Sequence, residues 1–309
     1  MRLLHLANLV SPAPAPVTAG HDARHPAVRV VTDTTACLPA PASAGPAAPV
    51  VVPLRVLTPD GELREGVDVT PAQVAARIAA GQRLTTSQPS PEDFADAYRA
   101  IAQEGAAAIV SVHLSGALSG TVEAAAHAGQ RAMLPVRAVD SHTVAMALGF
   151  AAQQAAACAA AGSDAEHVAA RASAVAASSR TLFLVDSLDH LRRGGRLSAG
   201  AAALGTALGV RPILEITDGQ IRLVQRVRTR AAALERLLAL AAEHAAGMER
   251  PGVAVHHLGA PDRAAAAAAR LTELLGVSPV VTPVSAVLGA HAGPGAVAVV
   301  VAELGGHSH

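Results

Sequence analysis

Four short polar islands interrupt an apolar chain, and each carries side chains able to hold an anion. The first, residues 85–90 (TTSQPS), presents Thr86 and Ser87 just ahead of a proline-initiated helix, where hydroxyls either bind an anion or cap the helix. The second, residues 113–121 (HLSGALSGT), places Ser115, Ser119, Gly120 and Thr121 at a helix start. Free amides and the helix dipole favour a carboxylate or phosphate there, and a glycine lets backbone approach a ligand closely. Ser119 also admits a nucleophile reading, although the G-x-S-x-G elbow is missing. The third island, residues 191–198 (LRRGGRLS), sets Arg196 beside paired glycines, as in a carboxylate or phosphate clamp or a solvated basic turn. The fourth, residues 289–295 (GAHAGPG), holds His291 in a Gly/Pro-rich loop, where an imidazole can donate to an anion. No further ligands at metal spacing accompany it, so no metal is expected. Asp33, after the first strand, reads as a turn cap.

The elements that must position these islands follow two patterns. Apolar strands at 28–31, 50–57, 106–112 and 135–139 alternate with helices, which implies right-handed crossovers and a mostly parallel sheet. Thr70-Pro71 and Ser90-Pro91 open two of those helices, and Phe94, Tyr98 and Ile101 share one helical face. A long Ala-rich helix follows Asp140-Ser141-His142. In such sheets ligands gather where strands hand over to helices. Beyond residue 180 the pattern changes. A strand at 182–185, a short helix with Leu188 and Leu191, and a hairpin turning at Asp218-Gly219 precede further helices and strands. The expected fold is α/β in two domains: a Rossmann-like, mostly parallel domain over 28–180 and an α+β domain with a mixed sheet over 181–309. Residues 1–27 are expected to be a disordered extension, since His5 and Asn8 break the apolar stretch that a signal peptide needs.

Composition removes several functions. The 309 residues carry 24 basic and 24 acidic side chains, so no net field draws in nucleic acid. Aromatic residues make up 1%, with no Trp and one Tyr, which leaves almost nothing for bases to stack on. Hydrophobic residues reach 51%, enough for two buried cores. Cys37 and Cys158 form no disulfide framework or metal spacing, which fits a reducing cytoplasm. No apolar run approaches the roughly 18 residues of a membrane span, leaving transient membrane contact at most.

In order and spacing, VTDTTACLP, VVPLRV, TSQPSPEDF, HLSGALSGT, VDSLDHLRRGGRLS, GVRPIL and GAHAGPGA closely resemble the DegV family. The resemblance implies a non-catalytic protein that holds a long-chain fatty acid between two domains. It implies that Thr86 and Ser119 bond the carboxyl group, that Arg196 and His291 lie near it, and that a separate kinase receives the acid for acyl-phosphate formation. It implies no cofactor beyond the bound acid. A ~16-carbon tail suits the composition: burying ~15 methylenes at ~0.8 kcal/mol each yields roughly 12 kcal/mol before association costs. The chain departs from the family at Gly116, Ala290, Arg193 and Arg211, positions where Ser, Thr, Lys and Lys are frequent. A competing reading is a serine hydrolase or phosphotransferase using Ser119 and His291. Arg222, Arg226, Arg228 and Arg230 form a basic cluster that suits either an acidic partner surface or solvent.

Overall fold

The structure, a computed structural model, describes residues 27–40, 45, 47–197 and 210–305. The expected N-terminal extension lies outside the described residues except for Ala27, as does Ser198 of the third island.

A parallel sheet of four strands, ordered β2-β1-β6-β7, forms from Val28–Asp33 (β1), Val50–Val52 (β2), Ala108–His113 (β6) and Val136–Asp140 (β7). Every residue of β1 is buried, as befits a strand covered on both faces. Helices Pro91–Gln103 (α2) and Thr121–Gly129 (α3) cover one face. There Phe94, Tyr98 and Ile101 meet Val31, Ile109 and Ala125. The sequence reading of 50–57 as one strand needs correction. Pro53, which has no N–H to give a ladder, breaks it into β2 and Arg55–Thr58 (β3), and the two halves join different sheets. β3 pairs antiparallel with Gly61–Arg64 (β4) and Thr85–Ser87 (β5) in a small sheet of its own. Helix Pro71–Ala79 (α1) lies between β4 and β5 in the chain and begins with a Thr70–Gln73 capping box.

The Ala-rich segment forms two helices, Met146–Ala160 (α4) and Ala165–Ser178 (α5), with Asp164 capping the second. They pack against β1, β6 and β7 on one side and against the later sheet on the other. That later sheet is mixed and has six strands, ordered β10-β9-β8-β13-β11-β12. They are Arg180–Leu184 (β8), Arg211–Thr217 (β9), Gln220–Val227 (β10), Pro251–His257 (β11), Val280–Pro283 (β12) and Val297–Glu303 (β13). A short helix, Asp189–Arg193 (α6), follows β8, and the sheet's outer face is covered by Arg230–Ala245 (α7) and Pro261–Leu275 (α8), with Leu182, Leu237, Leu238, Val255, Leu271 and Val299 in the core between. The layers therefore run helix, parallel sheet, helix, mixed sheet, helix. The hairpin turn lies where the sequence places it: Asp218 and Gly219 have φ of 50° and 74°, as a two-residue type I′ turn requires.

Helix α4 is buried along most of its length because two sheets press on it, and alanine keeps them close. Gly149 belongs to the same geometry, for a Cβ there would meet the Ala36 carbonyl oxygen and the Met146 sulfur. Helix propensity alone would reward Gly149→Ala by roughly 1 kcal/mol. We expect the reverse, a loss of about 1–3 kcal/mol from overpacking. Urea denaturation of the variant would show it, and a raised midpoint would refute the packing argument.

Candidate functional site

A cavity of about 360 Å³ lies beyond the N-terminal end of α4, between the small sheet, the loop after β6 and the inner face of the mixed sheet. Most of its wall is aliphatic: Leu54, Leu114, Leu118, Val144, Ile216, Ile221, Val284 and Val287 among others, with Phe183 and Ala298 on the mixed sheet. Its polar side chains, apart from Thr181, are Thr86, Ser87, Gln88, Ser119, Arg196 and His291, drawn together by the Thr86–His291 contact, the Arg196 bond to Leu118 and the approach of Gln88 to Gly120.

Thr86 reaches this end because β5 pairs with β3, Val56 standing opposite Thr86. The island around Thr86 is thus partly a strand, although no local periodicity marks three hydroxyl residues as one. His291 comes from a helix, Ala286–Ala292 (α9), and not from the loop its Gly/Pro-rich surroundings suggest. Ser285 caps that helix by accepting from the Leu288 amide at 3.1 Å. The buried Glu65 carboxylate also takes bonds from the amides of Ala286 and Val287 and from the Ser285 hydroxyl. Burial pushes Glu65 up to about 7 despite the bonds from Thr34, Ala286 and Ser285 that pull it down. The Thr86 hydroxyl and His291 Nε2 are 2.8 Å apart. Burial, then the charge of Arg196 and the neighbouring His190, depress His291 to about 4. At neutral pH the ring is uncharged.

The second island turns tightly after β6, with the amides of Leu118 and Ser119 bonded to the Ser115 carbonyl at 3.0 and 3.1 Å. The Ser119 hydroxyl faces the cavity and bonds Thr121 Oγ1 at 2.8 Å. Gly120 precedes α3, whose N-terminus has no side-chain cap, so its first amides are available to an acceptor. The Gln88 carboxamide lies directly over Gly120, so the loop after β5 and this loop meet at the glycine. Arg196 latches the loop by donating from Nε to the Leu118 carbonyl at 3.1 Å. A second cavity of about 420 Å³ shares Thr86, Arg196 and His291 with the first and adds Arg83, His190 and Arg193.

Of the residues singled out in the sequence, Thr86, Ser87, Ser119, Gly120, Arg196 and His291 line the cavity together. Ser115 and Thr121 stand outside its wall and are buried. Ser115 Oγ donates to the Gly219 carbonyl at 2.8 Å, tying the cradle loop to the β9–β10 hairpin. Thr121 holds Ser119 from behind. Asp33 accepts from the Thr35 amide at 3.0 Å, as a turn cap should, and its other oxygen lies 2.9 Å from His113 Nδ1. His113 Nε2 continues to Ser111 Oγ at 2.7 Å and on to the Tyr98 hydroxyl. This Ser-His-Asp chain is sealed in the core and has no access to substrate. Sequence reasoning quoted Gln88 within the first island without giving it a role, and it missed Glu65 and Thr181. Of those two, Thr181 had a local signal, a hydroxyl at the edge of an apolar strand.

The fold is a three-sheet α/β architecture with a largely aliphatic cavity whose polar side chains include Thr86, Ser119, Arg196 and His291. The chain belongs to the DegV family, an uncharacterised protein family whose model matches residues 27–304. It is 45% identical over 278 residues to a DegV domain-containing protein of Streptomyces coelicolor, covering 89% of this chain and 98% of that one. Among solved structures it resembles a fatty-acid-binding DegV family protein from Thermus thermophilus with a TM-score of 0.81 at 33% identity, covering 89% of this chain and 99% of that one. DegV of Bacillus subtilis, described as a fatty acid binding protein, superposes with a TM-score of 0.82 at 30% identity over the same shares. Among the described residues no helix is long and apolar enough to cross a membrane, and no group of three or more His, Cys, Asp or Glu could hold a metal ion.

The depressed His291 has a consequence for stability. Unfolded, the ring takes up its proton near pH 6.5; folded, it stays neutral down to about 4. Its contribution is therefore complete above pH 6.5 and declines as pH falls toward 4. Glu65, raised from 4.5 to about 7, acts in the opposite sense, adding stability as pH falls through that window. Comparing urea midpoints of wild type and His291→Gln from pH 7.5 to 5 isolates the ring. Wild type should lose more stability than the variant on acidification, and parallel curves would contradict a buried neutral His291.

Proposed function

We propose that this chain binds a long-chain fatty acid in the cavity and serves as an acyl carrier. The observation that carries the reading is the make-up of the wall, largely aliphatic with its polar side chains drawn together. A buried carboxylate needs partners or it offsets the gain from its tail. In this reading Thr86 and Ser119 donate their hydroxyls to it, the first amides of α3 face it, and Arg196 supplies the nearby charge. His291, neutral, bonds the Thr86 hydroxyl and fixes its direction. The relatives described as fatty acid binding support the same ligand class.

The carrier reading extends to a separate kinase that phosphorylates the bound carboxyl group. Its support here is the second cavity, which borders the same polar residues and brings the guanidinium groups of Arg83 and Arg193, cations suited to a phosphoryl donor. The hydrolase alternative gains nothing from the geometry: Ser119 pairs with Thr121 and His291 with Thr86, so no bond joins the nucleophile to the base. The domain boundary near residue 180 is kept as part of the proposal, since β8 opens the mixed sheet there. A cytoplasmic setting is likewise proposed.

Native mass spectrometry of the purified protein, with denaturing extraction, should find a C14–C18 acid in stoichiometric amount. Thr86→Ala and Ser119→Ala each remove a hydrogen bond to a charged group, worth about 1.5–3 kcal/mol, and should weaken fatty-acid binding roughly tenfold to a hundredfold. Unchanged affinity in both would exclude the assigned head-group site.

A further inference from the structure

Thr181 is the polar residue of the cavity wall that does not belong to the carboxylate end. It lies at the start of β8, whose other end leads into the helix Asp189–Arg193 and on to Arg196. At ~3.3 Å per residue, Thr181 is about 10 Å back along the strand from Leu184. Its neighbours on the wall are Phe183, Ile216, Val144 and Ala145, none of which offers a hydrogen bond from its side chain.

Thr181 and Thr143 are 3% and 4% exposed. Among the described residues the hydrogen bond of each hydroxyl is to the other, at 3.4 Å. Hydroxyl pairs usually approach to about 2.7–2.8 Å, so this bond is weak. Two hydroxyls hold two protons and four lone pairs between them, and one long bond leaves most of that capacity unused in an apolar surrounding. A plain hydrocarbon chain lying over Thr181 would keep it so. A chain bearing an oxygen at that depth would satisfy it.

We propose that Thr181, backed by the Thr143 hydroxyl outside the cavity wall, is a subsite for a hydroxyl or oxo group in the middle of the acyl chain, so that the favoured ligand is an oxygenated long-chain fatty acid. The proposal rests on the fatty-acid reading and narrows its ligand class. A site built to hydrogen-bond a substrate oxygen discriminates strongly against the analogue that lacks it. Replacing Thr181 by valine keeps the shape of the side chain and removes the oxygen.

The test uses the full chain, delipidated, in equilibrium displacement of a fluorescent fatty acid by stearic acid and by monohydroxystearic acids substituted at successive mid-chain positions. In wild type at least one positional isomer should bind about fivefold tighter than stearic acid. In Thr181→Val that preference should vanish while stearic acid binds as well or better. Thr181→Ser, which keeps the hydroxyl, should retain it and guards against misreading a folding defect. Equal isomer-to-stearate ratios in wild type and Thr181→Val would overturn the subsite alone. A folded wild type that binds neither stearic nor any hydroxystearic acid would overturn the fatty-acid reading along with it.

Discussion

The close approach of the two main sheets on either side of α4 governs the rest of the molecule. Alanine side chains and Gly149 keep that helical layer thin, so the parallel and mixed sheets lie face to face across it. Where α4 begins, the layer ends, and the gap it would have filled becomes the cavity. The start of the helix is accordingly unusual. Ala145 adopts φ 57°, a conformation L residues seldom take, and the Met146 amide is accepted by the buried His256 on β11. Burial depresses His256 to about 4, which keeps its ring neutral and its Nε2 free to accept. A residue of the mixed sheet thus fixes where the helical layer stops and how deep the cavity runs.

The polar end is organised so that few of its groups carry charge by themselves. His291 is neutral, Thr86 and Ser119 are hydroxyls, and the α3 amides bear only partial charge. Arg196 is the cation of this end, and its guanidinium is already oriented by backbone carbonyls at Leu118 and Gly194. Such preorganisation reduces the ordering cost when an anion arrives. The arrangement also spans the molecule: Ser119 follows the parallel sheet, Arg196 and His291 belong to the later half of the chain, and Thr86 sits on the small sheet.

Local chemistry made much of this legible. Strand–helix alternation gave the parallel sheet, and Asp218-Gly219 gave its hairpin because a type I′ turn depends on those two residues alone. Thr86, Ser119, Arg196 and His291 stood out because polar residues at strand ends inside an apolar chain have few structural excuses. What stayed hidden depends on partners far away in sequence. β5 is a strand because β3 lies beside it, and α9 is a helix partly because Glu65 caps it from over 200 residues away. Ser115 has the same residue type and almost the same setting as Ser119. The hairpin carbonyl that claims its hydroxyl, from a segment far along the chain, helps to separate the two.

That last contact reaches beyond the fold into how the chain can change by descent. Gly219 is buried, and any side chain at that position would strike the Ser115 oxygen. A lineage that placed a side chain at 219 would therefore have to displace the Ser115 hydroxyl, and with it a bond that ties down the loop bearing Ser119. Two segments about a hundred residues apart are thus coupled in descent, a change in one bearing on what the other can tolerate.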